Sequence, residues 1–239
     1  MGSKATGKLH LLPVWLGEGG GIEQLPPENL AVAAGIDLWF VENERSARQL
    51  LRRMLPAVDL PGMELHRFDQ DSTLNDARSL LRPVLSGRSG GVMSEAGMPG
   101  IADPGALLVR AAHELGIEVV PHIGPNSMML ALAASGANGQ RFSFHGYLPR
   151  AAHERRQAIR RIATEASRTG GAHVFMETPY RNDTLLSDLL EQCDERLLMT
   201  IAVDITQPGG SVRTCSIGTW RRERPTIGKR PSVFVLSAP

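Results

Sequence analysis

The chain has 239 residues, of which 42% are hydrophobic, and it carries 26 Lys and Arg against 25 Asp and Glu. This composition excludes a disordered chain, a collagen-like repeat and a small disulfide scaffold, and the length allows one large or two small domains with buried cores. No apolar stretch approaches the ~18 to 20 residues that a membrane-spanning helix needs, so we expect a cytoplasmic protein.

Short apolar runs alternate with segments of helical period in the first half of the chain, a pattern typical of α/β proteins with a largely parallel sheet. Strands are predicted at residues 9–12, 38–41, 64–68, 91–93 and 119–122, and helices at 45–54, 74–85, 104–115 and 126–134. The helix from residue 104 is clearly bounded, since Asp103 can cap it, Pro104 fits its first turn and Gly116 can end it.

The second half follows a different pattern. It begins near residues 142–148. Strands are predicted at residues 172–176, 198–204, 212–217 and 233–236, and helices at 151–167 and 182–193. Three late strands follow one another without room for helices, which indicates antiparallel pairing. We therefore predict two α/β domains: residues 1–146, with a mostly parallel sheet, and residues 147–239, with a mixed or antiparallel sheet.

Charge differs between these two halves. Residues 1–146 hold 12 basic and 15 acidic residues, whereas residues 147–239 hold 14 and 10. A basic stretch follows the predicted boundary, formed by Arg150, Arg155, Arg156, Arg160 and Arg161. A solvated helix face and a surface for RNA phosphates both fit this stretch, so a nucleic-acid partner is compatible with the charge without being required by it.

Two loops of the first half can hold a small molecule. Residues 93–105 leave the end of a predicted strand and contain three glycines and two prolines. Glycine lets the backbone approach a ligand, and open α/β sheets bind small molecules beyond their strand ends, so we favour ligand binding over a tight turn. Residues 123–128 also join a strand to a helix, and Asn126 or Ser127 is there either a bare helix cap or part of a site that receives a carboxylate or a ribose hydroxyl.

Two carboxylates end apolar strands in the second half. Glu177 and Asp204 occupy these positions, and carboxylates are rarely buried there without a partner. Arg181 is the local candidate for that partner, and both structural ion pairing and a functional role remain open. The histidines show no spacing typical of a metal site, so no metal is implied.

Taken in order, these segments resemble the tetrapyrrole (corrin/porphyrin) methylase superfamily of S-adenosylmethionine-dependent methyltransferases. Within it, they resemble the branch that methylates ribose 2′-hydroxyls of small-subunit ribosomal RNA. The matching motifs are residues 94–99 with 103–105, 124–127, 144–149, 177–181 and 204–206.

The resemblance implies a two-domain α/β enzyme, a homodimer, that holds S-adenosyl-L-methionine in a cleft between its domains and acts on ribosomal RNA or the small ribosomal subunit. The implied cofactor-binding residues are Leu16, Ala96, Gly97, Met98, Ile101, Asn126, Ser127, Glu177 and Ile205. As catalytic residues we predict Glu177, as a general base or orienting group, and Arg181, as a contact to phosphate or to the developing alkoxide.

The motifs on the substrate side depart from the branch. Residues 42–45 read Glu-Asn-Glu-Arg where the branch has Glu-Asp-Thr-Arg, and Gln207 stands where the branch has lysine. Two alternatives therefore stay open: a methyltransferase for a tetrapyrrole or another small molecule, and a cofactor-binding protein without catalysis. Binding to RNA that weakens steeply with salt would favour the ribosomal function.

Overall fold

The computed structural model describes residues 6–57 and 60–239. The chain divides into two compact units, Met1–Asn126 and Ser127–Pro239. The sequence predicts a domain boundary after Gly146, whereas the helix Ser127–Ser135 and the strand Phe142–Tyr147, which contains that glycine, fall in the second compact unit. Because a compact unit is not the same as a domain that folds alone, the predicted domain boundary stays a prediction.

The first unit is built on a five-stranded parallel sheet, as the sequence predicts. Its strands have the order β3-β2-β4-β1-β5. They are β1 (Lys8–Leu11), β2 (Leu38–Val41), β3 (Glu64–Arg67), β4 (Gly90–Met93) and β5 (Glu118–Pro121). All residues of β2 and β4 are buried, because helices cover both faces of a parallel sheet and leave its central strands no polar side.

Two glycines in β4 make room for the aromatic side chains of β2. A Cβ atom on Gly91 would lie 2.6 Å from the ring of Trp39, and one on Gly90 would lie 2.9 Å from the ring of Phe40. Trp39 and Phe40 point to opposite faces of the sheet and each belongs to a separate apolar cluster. The missing β4 side chains therefore let one strand fill the core on both faces.

Five helices of the first unit lie between these strands. They are α1 (Pro27–Ala34), α2 (Glu44–Met54), α3 (Leu74–Leu80), α4 (Arg82–Leu85) and α5 (Gly105–Glu114). The side chain of Asn43 accepts hydrogen bonds from Arg45 and Ser46 and so caps α2. The predicted single helix over residues 74–85 is wrong, because Pro83 has no N–H to continue the α-helical hydrogen bonding and α3 ends before it. Helix α1 was not predicted from the sequence.

The second unit has a mixed five-stranded sheet, which confirms the predicted class. Its order is β6-β7-β10-β8-β9, with only β6 and β7 parallel. The strands are β6 (Phe142–Tyr147), β7 (Ala172–Glu177), β8 (Leu198–Val203), β9 (Ser211–Ser216) and β10 (Ser232–Ser237).

Helices cover both faces of this second sheet. They are α6 (Ser127–Ser135), α7 (Ala152–Thr169), α8 (Asn182–Gln192) and α9 (Ile217–Glu223). The expectation that no helix fits among the late strands is wrong, since α9 lies between β9 and β10. The apolar side of α9 is formed by Ile217 and Trp220, which are both buried, and Arg221 and Arg222 follow them in the last turn.

Across the described ranges, 6–57 and 60–239, no helix is long and apolar enough to span a membrane.

Candidate functional site

Loops that follow β1 and β4 pair with each other at the carboxyl end of the first sheet. Val14 and Gly97 exchange backbone hydrogen bonds of 3.0 and 3.2 Å as an isolated antiparallel bridge. Gly97 has a φ of +70°, and a Cβ atom on it would lie 3.2 Å from Leu16 Cδ2 and 3.3 Å from the carbonyl oxygen of Pro125. The structure thus brings the predicted residues Leu16 and Gly97 together, at a position that only glycine fills without strain.

The loop after β5 joins the same place. The side-chain amide of buried Asn126 lies 3.7 Å from the sulfur of Met98. Ile101 remains 40% exposed, and Ala96 is exposed beside it on the same loop. Three strand-end loops of the first unit therefore meet in a patch of mostly small and apolar side chains.

Asp103 fixes the shape of the long loop. Its Oδ1 accepts hydrogen bonds from the backbone N–H of Gly100 (2.9 Å) and of Gly105 (2.8 Å), the first residue of α5. The N-cap residue of α5 is Pro104, which has no side-chain cap, so Asp103 lies one residue before the cap position. Its carboxylate still bonds the first N–H of the helix, and the same oxygen also folds the loop back on itself. Gly100 and Ala102 have φ values of +81° and +55°, so the turn depends on left-handed backbone that the carboxylate holds in place.

A second carboxyl group pairs with Asp103. Glu42, at the end of β2, is half-buried and forms a hydrogen bond with the Asp103 side chain. Burial, that hydrogen bond and the negative charges of Asp103, Glu95 and Asp69 raise the pKa of Glu42 to about 7. Glu42 therefore changes its protonation state within the physiological pH range.

Replacing Glu42 with glutamine is expected to stabilise the protein at about pH 8 and to change little at about pH 5. A carboxyl group whose pKa is raised on folding contributes stability below its unfolded value near 4.5, and this contribution is lost as the pH rises through about 7. Because Glu42 is half-buried, solvent screening limits the gain to about 1 kcal/mol. Urea denaturation at both pH values measures it, with Glu28→Gln on an exposed part of α1 as the control. An equal effect at both pH values would contradict the raised pKa of Glu42.

The second unit places Glu177 at the end of β7 with its side chain fully buried. Glu177 Oε1 accepts hydrogen bonds from the Thr178 backbone N–H (2.6 Å) and from Arg181 Nη2 (2.5 Å). The predicted partner of Glu177 is therefore confirmed. The two side chains meet because the chain turns through a short 3₁₀ helix, Pro179–Arg181, directly after the strand.

Three buried polar atoms around this pair lack a hydrogen-bond partner among the described residues. They are Glu177 Oε2, Arg181 Nη1 and Asn182 Oδ1. Buried polar groups are nearly always satisfied in folded proteins, so unsatisfied ones within five residues of one another mark a place where a ligand can supply the missing partners. The acceptor and donor atoms together fit a ligand that carries both hydrogen-bond donors and acceptors.

Asp204 and Ile205 follow β8 on the same edge of the second sheet. Ser232, the first residue of β10, pairs with Glu177 on one side and with Val203 on the other, so the ends of β7 and β8 flank it. Asp204 Oδ2 accepts a hydrogen bond from Arg230 (2.5 Å), a partner that the sequence did not reveal. Ile205 packs on an apolar cluster that includes Met128 of α6, the residue after Ser127.

Part of the basic stretch has a packing role, which differs from both the solvated helix face and the surface for RNA phosphates that the sequence left open. Arg155 is buried and bonds Asp188 through Nε (2.7 Å) and Nη2 (2.6 Å), and Arg156 bonds the other oxygen of Asp188 (2.7 Å). Arg160 bonds Gln192 (2.6 Å). Three of the five arginines therefore bond side chains of α8 and hold α7 to it. In the part of the chain that the structure describes, no group of three or more His, Cys, Asp or Glu is placed to hold a metal ion.

Most of the chain matches known methyltransferases. Residues 20–220 match the family described as Tetrapyrrole (Corrin/Porphyrin) Methylases. Ribosomal RNA small subunit methyltransferase I of Vibrio cholerae is 33% identical over 95% of this chain and 76% of its own. The protein of the same name from Xylella fastidiosa strain Temecula1 is 31% identical over 84% of this chain and 69% of its own.

Solved structures of related fold cover both units. The methyltransferase CobJ has a TM-score of 0.64 at 21% identity, over 98% of this chain and 95% of CobJ. Uroporphyrin-III-C-methyltransferase from Thermus thermophilus has a TM-score of 0.57 at 18% identity, over 97% and 94% of the two chains. At these identities the likeness establishes the fold, whereas the family match and the ribosomal relatives establish the class of enzyme. The chain is therefore an S-adenosylmethionine-dependent methyltransferase that belongs to the tetrapyrrole (corrin/porphyrin) methylase family.

Proposed function

We propose that this enzyme methylates a ribose 2′-hydroxyl of small-subunit ribosomal RNA. The observation that carries the proposal is the similarity to relatives named ribosomal RNA small subunit methyltransferase I over 84 to 97% of the chain. The buried Glu177 and Arg181 pair, with an unsatisfied atom on each side chain, supports a site that positions a polar acceptor. Because ribosomal subunits are its proposed substrate, we place the enzyme in the cytoplasm, and we propose that it acts as a homodimer.

The residues of both units fit S-adenosylmethionine. In the first unit the proposed contacts are Leu16, Ala96, Gly97, Met98, Ile101 and Asn126, and in the second they are Ser127, Glu177 and Ile205. The apolar patch suits a nucleoside, and the unsatisfied buried oxygen of Glu177 suits a donor on the ligand. When bound, this cofactor supplies an electrophilic methyl group on a sulfonium sulfur.

Glu177 and Arg181 would act on the acceptor side of such a transfer. A ribose hydroxyl must lose its proton as its oxygen bonds to carbon, and a nearby cation stabilises the negative charge that develops. Arg181 Nη1 is a buried donor that can supply this charge, and Glu177 holds the guanidinium in place through Nη2. Since one oxygen of Glu177 is already committed to Arg181 and Thr178, the geometry favours an orienting role for Glu177 over a role as the base.

Transfer of a labelled methyl group to isolated small ribosomal subunits tests the proposal. The subunits come from a strain that lacks this protein, and nuclease mapping locates the label. We expect one 2′-O-methylated nucleotide, and no label in large subunits or in small subunits from the parent strain. Cofactor binding by calorimetry without any incorporation would overturn the ribosomal function and leave the small-molecule and non-catalytic alternatives.

A further inference from the structure

An exposed aromatic ring with a cation over it follows the buried Glu177 and Arg181 pair. Tyr180 is 79% exposed, and the Lys229 Nζ lies 5.0 Å from its ring centroid. Lys229 is itself exposed. A single exposed aromatic residue is ordinary on a protein surface, so the exposure alone indicates no function.

The segment that carries Lys229 is fastened to the turn that carries Tyr180. The Asp183 carboxylate accepts hydrogen bonds from the backbone N–H groups of Ile227 (2.8 Å) and Gly228 (3.2 Å). The amide of buried Asn182 donates to the carbonyl oxygens of Gly228 (3.1 Å) and Arg230 (2.7 Å). Four hydrogen bonds from the two residues that begin α8 therefore fix the backbone on both sides of Lys229.

A positive charge lies over the ring, and a buried donor without a hydrogen-bond partner belongs to the next residue in the chain. Tyr180 is the neighbour of Arg181, whose Nη1 is buried and has no protein partner within the described ranges. Arg230, next to Lys229, is neutralised by Asp204 (2.5 Å). Lys229 thus lies over one face of the Tyr180 ring. The next residue in the chain is Arg181, which we propose contacts the methyl acceptor.

We propose that Tyr180 and Lys229 form a platform for one nucleotide of single-stranded RNA. In this proposal a base stacks on the open face of Tyr180, and Lys229 contacts an adjacent phosphate. Aromatic rings bind unpaired bases by stacking without regard to sequence, and a fixed ammonium over the ring adds a charge that phosphate recognises. The proposal rests on the proposed function, which it deepens by naming positioning residues for an unpaired RNA segment.

Binding of a fluorescein-labelled, short single-stranded oligoribonucleotide, measured by anisotropy, tests the platform. Tyr180→Ala is expected to weaken binding about ten- to a hundredfold, whereas Tyr180→Phe stays within about twofold because the stacking ring remains. Lys229→Ala is expected to reduce the magnitude of the slope of log K against log salt concentration by about 1, the change for one lost phosphate contact. Tyr180→Ala is expected to leave this slope unchanged.

Controls separate the platform from folding and from the proposed function. Phe142→Ala removes another exposed aromatic ring and is expected to leave RNA binding unchanged. Phe142 begins β6 and pairs with the first residue of β7, whereas Tyr180 follows the last residue of β7. Calorimetry with S-adenosylmethionine should give the same affinity for Tyr180→Ala as for the original chain. Methylation of small subunits that survives Tyr180→Ala at full rate overturns the platform but keeps the proposed function. RNA binding through Tyr180 without any subunit methylation supports the platform and overturns that function, and uroporphyrin binding with no RNA binding overturns both.

Discussion

Replacing Asp188 with alanine is expected to lower the free energy of unfolding by about 3–5 kcal/mol, which corresponds to a fall in Tm of roughly 6–20 °C. Asp188 and Arg155 have side chains only 3% and 5% exposed, and the carboxylate holds guanidinium groups from Arg155 and Arg156. Without it, the charge of Arg155 stays buried and keeps, among the residues that the structure describes, the carbonyl oxygen of Arg150 as a partner. Thermal and urea unfolding measure the loss.

An exposed pair of the same residue types gives the matched control. Asp194 and Arg196 have side chains 50% and 81% exposed, so Asp194→Ala should change stability by no more than about 1 kcal/mol. The double variant Asp188→Leu with Arg155→Met removes both buried charges and is expected to be more stable than Asp188→Ala alone. A loss below about 1 kcal/mol for Asp188→Ala would show that the buried pair does not hold α7 to α8.

Replacing Glu177 with glutamine is expected to lower kcat/KM for methyl transfer about 10- to 150-fold, as when a hydrogen bond to a charged group is lost. Glutamine keeps the size of the side chain and an acceptor for the Thr178 N–H, but it removes the charge that faces Arg181. The guanidinium then loses its orientation toward the acceptor. Methyl transfer and calorimetric cofactor binding should be measured on the same preparation.

The two measurements together separate the roles of Glu177. A fall in kcat with unchanged cofactor affinity indicates action on the acceptor, and a weaker cofactor affinity indicates that the free oxygen of Glu177 binds the cofactor. Glu165→Gln, on an exposed face of α7, should affect neither quantity. Full turnover with intact cofactor binding in Glu177→Gln would remove this residue from the catalytic machinery.

Strands that are buried on both faces could be predicted from the sequence because they need a continuous run of apolar residues. Strand β2, with four buried residues, is the clearest case. Helices α1 and α9 were not predicted because their local sequences carry no clear helical pattern. The first begins at a pair of prolines that reads as a connection, and the second carries its apolar residues at only two positions among arginines. In both, packing against the rest of the unit supplies the stability that the local sequence does not indicate.

The candidate site divides in the same way between local and distant partners. The pair of Glu177 and Arg181 could be predicted because its members are four residues apart on one turn. The pairs of Asp204 with Arg230 and of Glu42 with Asp103 join segments that only the folded sheets bring together. The sequence pattern identifies the loops that follow the strands. The ion pairs and hydrogen bonds of the carboxylates in these loops depend on which strands become neighbours in the sheet.

The Asp103 carboxylate also affects when the long loop loses its conformational freedom. Because one oxygen fastens Gly100 and Gly105 together, the entropy of ordering these residues is lost during folding and not when a ligand arrives. In the site that we propose, the cofactor would therefore bind to a segment whose turn is already formed, and less of its binding free energy would be spent on ordering that segment.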